Sequence, residues 1–286
     1  MTSRDPAASD SPPPAAGVAV ADSPPSPGRP IVNYFDSAAV AARYAASRPA
    51  GHDRVLQVLR QTLAAELPFA HALDVGCGTG SSSVALLPYA ETITGVDASS
   101  EMLAQACRHP RIHFHKAHAE ALPFRSDTFD LVTVSSAYHW FDHHLFLAEA
   151  ARVIRAGRCL VLYKAGSTGT ATDQPAFDRW RREALNVRYP KVARNHDRLT
   201  ADLAAAFGFR EIACETMTHQ RRYSLDEYVD NLLTHSSVIR AVDGGRESVA
   251  AARTWLRAEL APFFPNGEAD FTHADYIHVL RRAPKS

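Results

Sequence analysis

The stretch that decides the fold is His71-Ala72-Leu73-Asp74-Val75-Gly76-Cys77-Gly78-Thr79-Gly80. An apolar, strand-like run enters three glycines at alternate positions, with a carboxylate two residues before the first. Glycines so placed let the chain turn sharply from strand into helix and admit a ligand where a side chain would collide. The dinucleotide fingerprint GxGxxG asks for glycine at 81. This chain has Ser81, so the pattern is GxGxG and the expected pyrophosphate contact at the helix N-terminus is weakened. Asp74 adds negative charge beside the loop, which disfavours a diphosphate and suits an ammonium or sulfonium group. Gly95-Val96-Asp97 then ends a second strand-like run, the place for a carboxylate that accepts both hydroxyls of a ribose.

On either side of this loop, strand and helix signals alternate. Strands are expected at 71–75, 92–97, 111–115, 129–135 and 159–164, and helices at 33–46, 53–66, 80–87, 99–107 and 143–155, the last stopped by Gly157. The central strands are short and rich in valine, leucine and isoleucine, as in a parallel sheet covered on both faces. The expected fold is therefore α/β, a doubly wound, seven-stranded, mostly parallel Rossmann-like sheet with a helical cap and lobe. After Gly166 the pattern changes to helices at 173–188 and 197–207, an extended segment at 210–223, two helices over 225–261 broken at Gly244-Gly245, and a last strand at 272–282. The middle helices read as a substrate lobe within 168–262, and the last two extended segments as an edge hairpin of the main sheet.

Composition narrows the class of partner. The first 30 residues hold eight of the 18 prolines and read as a disordered leader, so residues 31–286 are expected to form the folded domain. The leader has no basic start followed by a long apolar run, and its acidic residues argue against a transit peptide. Lys+Arg and Asp+Glu balance at 31 each, so no strong field draws the chain toward nucleic acid or an anionic membrane. Cys77, Cys107, Cys159 and Cys214 are widely spaced and read as free thiols of a reducing cytoplasm. The partner expected on these grounds is a small molecule.

The segments Leu73–Gly80 and Gly95–Leu103 resemble the glycine-rich motif and the second motif of the class I S-adenosylmethionine-dependent methyltransferases. The likeness is to the small-molecule group that includes ubiquinone-biosynthesis and trans-aconitate-like enzymes. It continues through His118-Ala119-Glu120-Ala121-Leu122-Pro123-Phe124, Phe129-Asp130-Leu131-Val132 and Arg155-Ala156-Gly157-Arg158. The resemblance implies S-adenosylmethionine as cofactor, S-adenosylhomocysteine as product, and in-line methyl transfer to an oxygen, nitrogen or carboxylate of a small molecule. It also implies that Gly76, Cys77, Gly78 and Gly80 cradle the cofactor, that Asp97 binds its ribose, and that Ala98 and Met102 line the adenine pocket. Asp74 would lie near the methionyl amino group, and Ala119 and Glu120 would sit in the adenine-facing block. The chain departs from the family at His118, usually aspartate, and at Arg155-Ala156-Gly157-Arg158, usually lysine-proline-glycine-glycine.

Ligands of open α/β sheets bind beyond the C-terminal ends of the strands. The fourth strand ends in Ser135-Ser136-Ala137-Tyr138-His139-Trp140-Phe141-Asp142, so Ser135 is expected at the cofactor and Tyr138, His139 and Trp140 at the acceptor. His139 is a candidate base or acceptor orienter, with a structural hydrogen bond as the alternative. In the N-terminal cap, Tyr34 reads as a pocket residue, while Tyr44 and Arg48 are candidates to close over the cofactor; ordinary helix packing is the competing reading. Cys77 reads as a small loop residue, not a nucleophile. Trp180, Arg181, Arg182, Tyr189, His196, Arg221 and Arg222 offer contacts to an acidic substrate, or merely a solvated face. The histidines at 113, 115, 118, 143 and 144 lack a recognisable metal-ligand pattern, and no metal is expected. Competing classes are a methyltransferase acting on a macromolecule, a non-catalytic cofactor-binding module and, least compatible with Ser81, a nicotinamide oxidoreductase.

Overall fold

In the computed structural model, which describes residues 33–47, 51–165, 169–195 and 197–284, the strand signals assemble into one sheet. The expected leader, Arg48 and His196 lie outside the described residues. Helices α1 (Ala38–Ser47) and α2 (His52–Thr62) precede β1 (Phe69–Val75). The chain continues through α3 (Ser81–Ala85), β2 (Ala90–Asp97), α4 (Ser100–Ala104), β3 (Ile112–Lys116), β4 (Phe129–Ser135), α5 (His143–Val153) and β5 (Ile154–Lys164). After it come β6 (Thr170–Ala171), α6 (Pro175–Trp180), α7 (Asn186–Arg188), α8 (Ala201–Ala206) and β7 (Phe209–Ser224). The chain closes with α9 (Leu225–Leu233), α10 (Ser236–Asp243), α11 (Val249–Leu260) and β8 (Glu268–Arg282).

The sheet runs β3-β2-β1-β4-β5-β8, with β6 and β7 both hydrogen-bonded to β8. The first five strands are parallel and β8 enters antiparallel to β5. Strand order reverses between β1 and β4, where Leu73 faces Val132, so the crevice for a ligand opens beyond the ends of these two strands. On one face Leu73, Val75, Val132, Val134 and Leu160 pack on Phe146, Leu147 and Ala150 of α5. On the other, Ala72, Ile93, Leu131 and Val161 meet Val55, Leu56 and Leu59 of α2. Burial on both faces is why these strands read as continuous apolar runs instead of alternating ones.

Several expectations shift in detail. The two-residue β6 makes the sheet eight-stranded among the described residues. The last two extended segments do pair antiparallel along their length, but three helices connect them and β8 lies inside, between β5 and β7, leaving β7 outermost. The helix expected over 143–155 stops at Val153, because Ile154 already pairs with Phe129 and the strand then passes through Gly157 at φ +78°. Residues 225–261 form three helices: besides the Gly244-Gly245 break, Thr234 donates its hydroxyl to the Asn231 carbonyl at 2.6 Å, ending α9 before an extended His235. The Arg155-Ala156-Gly157-Arg158 departure has a structural role. Arg155 and Arg158 pair with Asp130 at 2.7 and 3.5 Å, and Glu66 joins Arg158 at 3.1 Å to Arg281 at 2.6 Å.

Residues 276–281 of β8 pair with β5 on one edge, whereas its first half runs past the end of β5 and takes β6 there, with β7 along the other edge throughout. This projecting ribbon carries a third apolar cluster, in which Phe271 stacks on Tyr228 at 4.2 Å and meets Phe177 edge-on at 5.3 Å. Among the described residues no helix is long and apolar enough to cross a membrane. Phe271 is fully buried. Phe271→Ala is therefore expected to destabilise the chain by about 3–5 kcal/mol, read as a lower denaturant midpoint.

Candidate active site

The glycine loop is docked on β2 by its own backbone: the amides of Gly76 and Cys77 both donate to the Val96 carbonyl, at 2.8 and 3.0 Å. Two of its glycines are required for different reasons. At Gly76 (φ +70°) an added Cβ would stand 2.6 Å from the Ala137 Cβ, so glycine there lets the 137–141 segment press against the loop. At Gly78 (φ +55°) the backbone lies in the left-handed region and an added Cβ would crowd Met102 Cε at 3.2 Å.

Asp97 sits opposite that turn. Its Oδ2 accepts from the Gly78 amide at 2.8 Å and its Oδ1 from the Ser99 amide at 2.9 Å. Burial pushes its carboxyl above the usual range, opposed by the amides of Ser99, Gly78 and Ala98. An ionised carboxylate offers about four lone-pair positions, so beside these amides the partly open side chain keeps acceptor capacity for a ligand hydroxyl. Ser99 links the site to the cap. Its hydroxyl accepts from the Met102 amide at 3.1 Å, capping α4, and donates to the Phe35 carbonyl at 2.9 Å.

Over this crevice lies an aromatic cluster: Tyr34 and Phe35 pack on Trp140 at 6.1 and 5.8 Å, and Tyr44 meets Phe35 edge-on at 5.8 Å. Arg194 stands over the opposing Trp140 ring at 4.7 Å and bonds the Ser236 hydroxyl. His139 lies in the same short turn as Trp140, half-buried, ring to ring at 5.0 Å, with its carbonyl accepting from the Asn195 amide at 3.0 Å.

A methyltransferase-domain family matches residues 73–162, which hold the loop, Asp97 and the β4 terminus. The chain is 35% identical over 132 residues to the malonyl-[acyl-carrier protein] O-methyltransferase of Enterobacter lignolyticus, covering 44% of this chain and 53% of that one. It is 35% identical over 108 residues to the trans-aconitate 2-methyltransferase of Deinococcus radiodurans, covering 36% and 40%. The matches thus span about half the length of these relatives. A solved structure from Anaeromyxobacter dehalogenans, assigned as a type II methyltransferase, superposes with a TM-score of 0.63 at 26% identity over 83% of this chain and 99% of that one. Residues 73–162 therefore carry a methyltransferase domain on a Rossmann-like α/β fold.

Within this methyltransferase domain Gly76, Cys77, Gly78 and Gly80 form the loop, and Ala98 and Met102 follow Asp97, with Met102 buried beside Gly78. Cys77 is buried, and desolvation, then Asp74 and Asp97, push its thiol well above the ordinary value, the opposite of an activated nucleophile. Ala119 is buried in the 118–124 block. Glu120 accepts from the Asp142 amide at 2.9 Å and so ties that block to the start of α5. Ser135 ends β4, at the mouth of the crevice.

Two residues are placed differently from the sequence reading. Asp74 has no accessible surface. Its Oδ2 accepts from the Ser82 and Ser83 hydroxyls at 2.6 and 2.7 Å and its Oδ1 from Thr133 at 3.1 Å, so it pins the start of α3 to β4 and offers no face to a ligand. Tyr138 stacks on His143 at 3.8 Å and 7° and meets Phe146 at 5.9 Å. It belongs to the α5 layer, because the buried His143 needs a flat partner and bonds the Tyr138 carbonyl at 3.1 Å. Arg194 and Ser99 are the site residues that sequence reasoning missed. Ser99 had a signal, as the first capping residue after Asp97; Arg194, 54 positions from Trp140, had none.

Asp74→Ala removes the acceptor of three buried hydroxyls, at about 1–3 kcal/mol for each left unsatisfied. The expected outcome is a markedly lower denaturant midpoint together with weakened cofactor binding in calorimetry, whereas a change confined to binding would contradict the anchoring role.

Proposed function

We propose that this chain transfers the methyl group of S-adenosylmethionine to a small molecule by in-line displacement, and the observation that carries the reading is Asp97. Its carboxylate is held by one amide from the glycine loop and one from the next turn and stays partly open to solvent, so each oxygen keeps acceptor capacity for one hydroxyl of a diol. The cofactor supplies an electrophilic methyl group on a sulfonium, whose charge is consumed as the bond to the acceptor forms. The chain then has to hold, orient and exclude water more than to supply strong acid or base chemistry.

Asp97 holds the ribose, Gly78 leaves its backbone open to the ligand, and Ala98, Met102 and Ala119 wall the adenine. Tyr34, Phe35 and Trp140 cover the crevice against water. His139 accepts the proton of an acceptor that enters as a hydroxyl or ammonium; a carboxylate acceptor needs no base. The acceptors named for the relatives, malonyl-acyl-carrier protein and trans-aconitate, both carry carboxylates and support that class here. The segment within 168–262, clustered around Phe177, Tyr228 and Leu256, is the lobe that closes over the acceptor. Among the described residues all four cysteines are free thiols, which fits the cytoplasm.

Asp97→Ala is expected to weaken S-adenosylmethionine binding at least about tenfold, on the scale of one to two charged hydrogen bonds. Unchanged calorimetric affinity would remove Asp97 from the ribose site. Incubating metabolite extracts with methyl-labelled cofactor, followed by mass identification of the product, tests the transfer itself; cofactor binding without any labelled product would favour a non-catalytic module. With an acceptor in hand, His139→Ala should lower kcat with a changed pH profile. A normal rate across pH would leave His139 as a pocket former.

A further inference from the structure

On the outer ribbon, far along the sheet from the glycine loop, Glu211, Cys214 and His278 converge, their donor atoms all within 4.8 Å of one another. A sequence spacing of three would ordinarily send Glu211 and Cys214 to opposite faces of a strand. They share a face because β7 bulges between them. Glu211 pairs with Leu280 and Cys214 with His278, with the register shifted by one residue at Ala213. The bulge therefore delivers a carboxylate, a thiol and an imidazole to one patch, on side chains that solvent reaches.

The imidazole is already oriented. His278 Nδ1 lies 2.7 Å from Glu211 Oε2. An ionised carboxylate only accepts, so Nδ1 carries the proton and Nε2 presents its lone pair. That lone pair faces Cys214 Sγ at 3.9 Å. Zinc lies about 2.0–2.1 Å from imidazole nitrogen and about 2.3 Å from thiolate sulfur, so one ion spans this gap with a bent nitrogen–metal–sulfur angle. A carboxylate on the far ring nitrogen is the usual outer partner of a metal-bound histidine.

We infer that Cys214 and His278 bind a thiophilic divalent cation of the zinc type, with Glu211 holding the imidazole in its ligating tautomer and water filling the open positions. Binding replaces the thiol proton, which leaves to solvent, and no electron is transferred. Glu211 and Glu215 place negative charge beside this patch, which a bound cation offsets. The ion would clamp the outermost strand to β8 at its bulge. This site is independent of the methyl-transfer reading and uses none of its residues.

The test is a titration of the full chain, stripped with a chelator, with zinc and with cobalt(II). The expected result is one tight equivalent, a thiolate-to-cobalt charge-transfer absorption, and proton release on binding. Zinc should protect Cys214 from iodoacetamide, mapped by mass spectrometry, while the exposed Cys107 reacts at an unchanged rate. Cys214→Ser and His278→Gln should each lower affinity at least about tenfold, and Glu211→Gln about tenfold. Circular dichroism checks that these surface variants remain folded. The inference is overturned if the charge-transfer band survives Cys214→Ser, or if zinc leaves Cys214 alkylation unchanged, including the case of a thiol that is simply fast to react.

Discussion

The carboxylate of Asp97, gripped by the amides of Gly78 and Ser99, is the constraint on which the site depends. It joins two turns that leave adjacent parallel strands, β1 and β2, and so fixes the loop relative to the next helix. Parallel strands place both turns at the same edge of the sheet, and the Val96 carbonyl holds the loop in register through the Gly76 and Cys77 amides. Ser99 extends the same unit outward, since its amide binds Asp97 while its hydroxyl caps α4 and holds Phe35. Moving Asp97 would therefore disturb the loop, the helix start and the aromatic cover together.

A second dependence runs along β8. Its even and odd residues meet different surroundings, and along one edge its two halves meet different strands, β5 and β6. Ile277 and Val279 enter the core beneath α2, while Phe271 and Ala269 on the same face enter the lobe cluster. Between them lie buried Asp275 and His273, where Asp275 faces Arg54 at 3.7 Å and His219 at 3.3 Å. One strand thus belongs to two apolar clusters with a polar joint between them. The third apolar cluster is joined to the sheet by this continuous strand, and the Arg43–Asp243 pair at 3.1 Å adds a contact from α1 to α10.

What could be read from the sequence was local. The glycine run, Asp97 and the alternation of apolar runs announce themselves within a few residues, because turn geometry and burial on both faces act at that range. Direction was harder to read. Asp74 looks like a ligand-facing acid beside a loop, but a strand residue two before a turn points to one face or the other, and only Ser82, Ser83 and Thr133 reveal which. Tyr138 and Trp140 are neighbours of His139, yet one enters the α5 layer and the other the cover, since a 3₁₀ turn separates their directions. Arg194 over Trp140 and the bulge that aligns Glu211 with Cys214 depend on pairings across long separations, which no local pattern encodes.

The electrostatics of the loop bear on the kind of ligand it suits. Burial raises the carboxyls of both Asp74 and Asp97, and the charge of Asp97 adds to the effect on Asp74. Two acids close enough to feel each other, under a half-open crevice, make ionisation costly when no cation is near. Asp74 offsets part of its share with three hydroxyl donors, and Asp97 part of its own with backbone amides. A diphosphate placed here would add repulsion to that cost. A cationic ligand such as a sulfonium nucleoside would instead add positive charge and relieve that field. The same field disfavours a thiolate at Cys77, so the two acids that suit the cofactor also keep the loop cysteine inert beside an alkylating ligand.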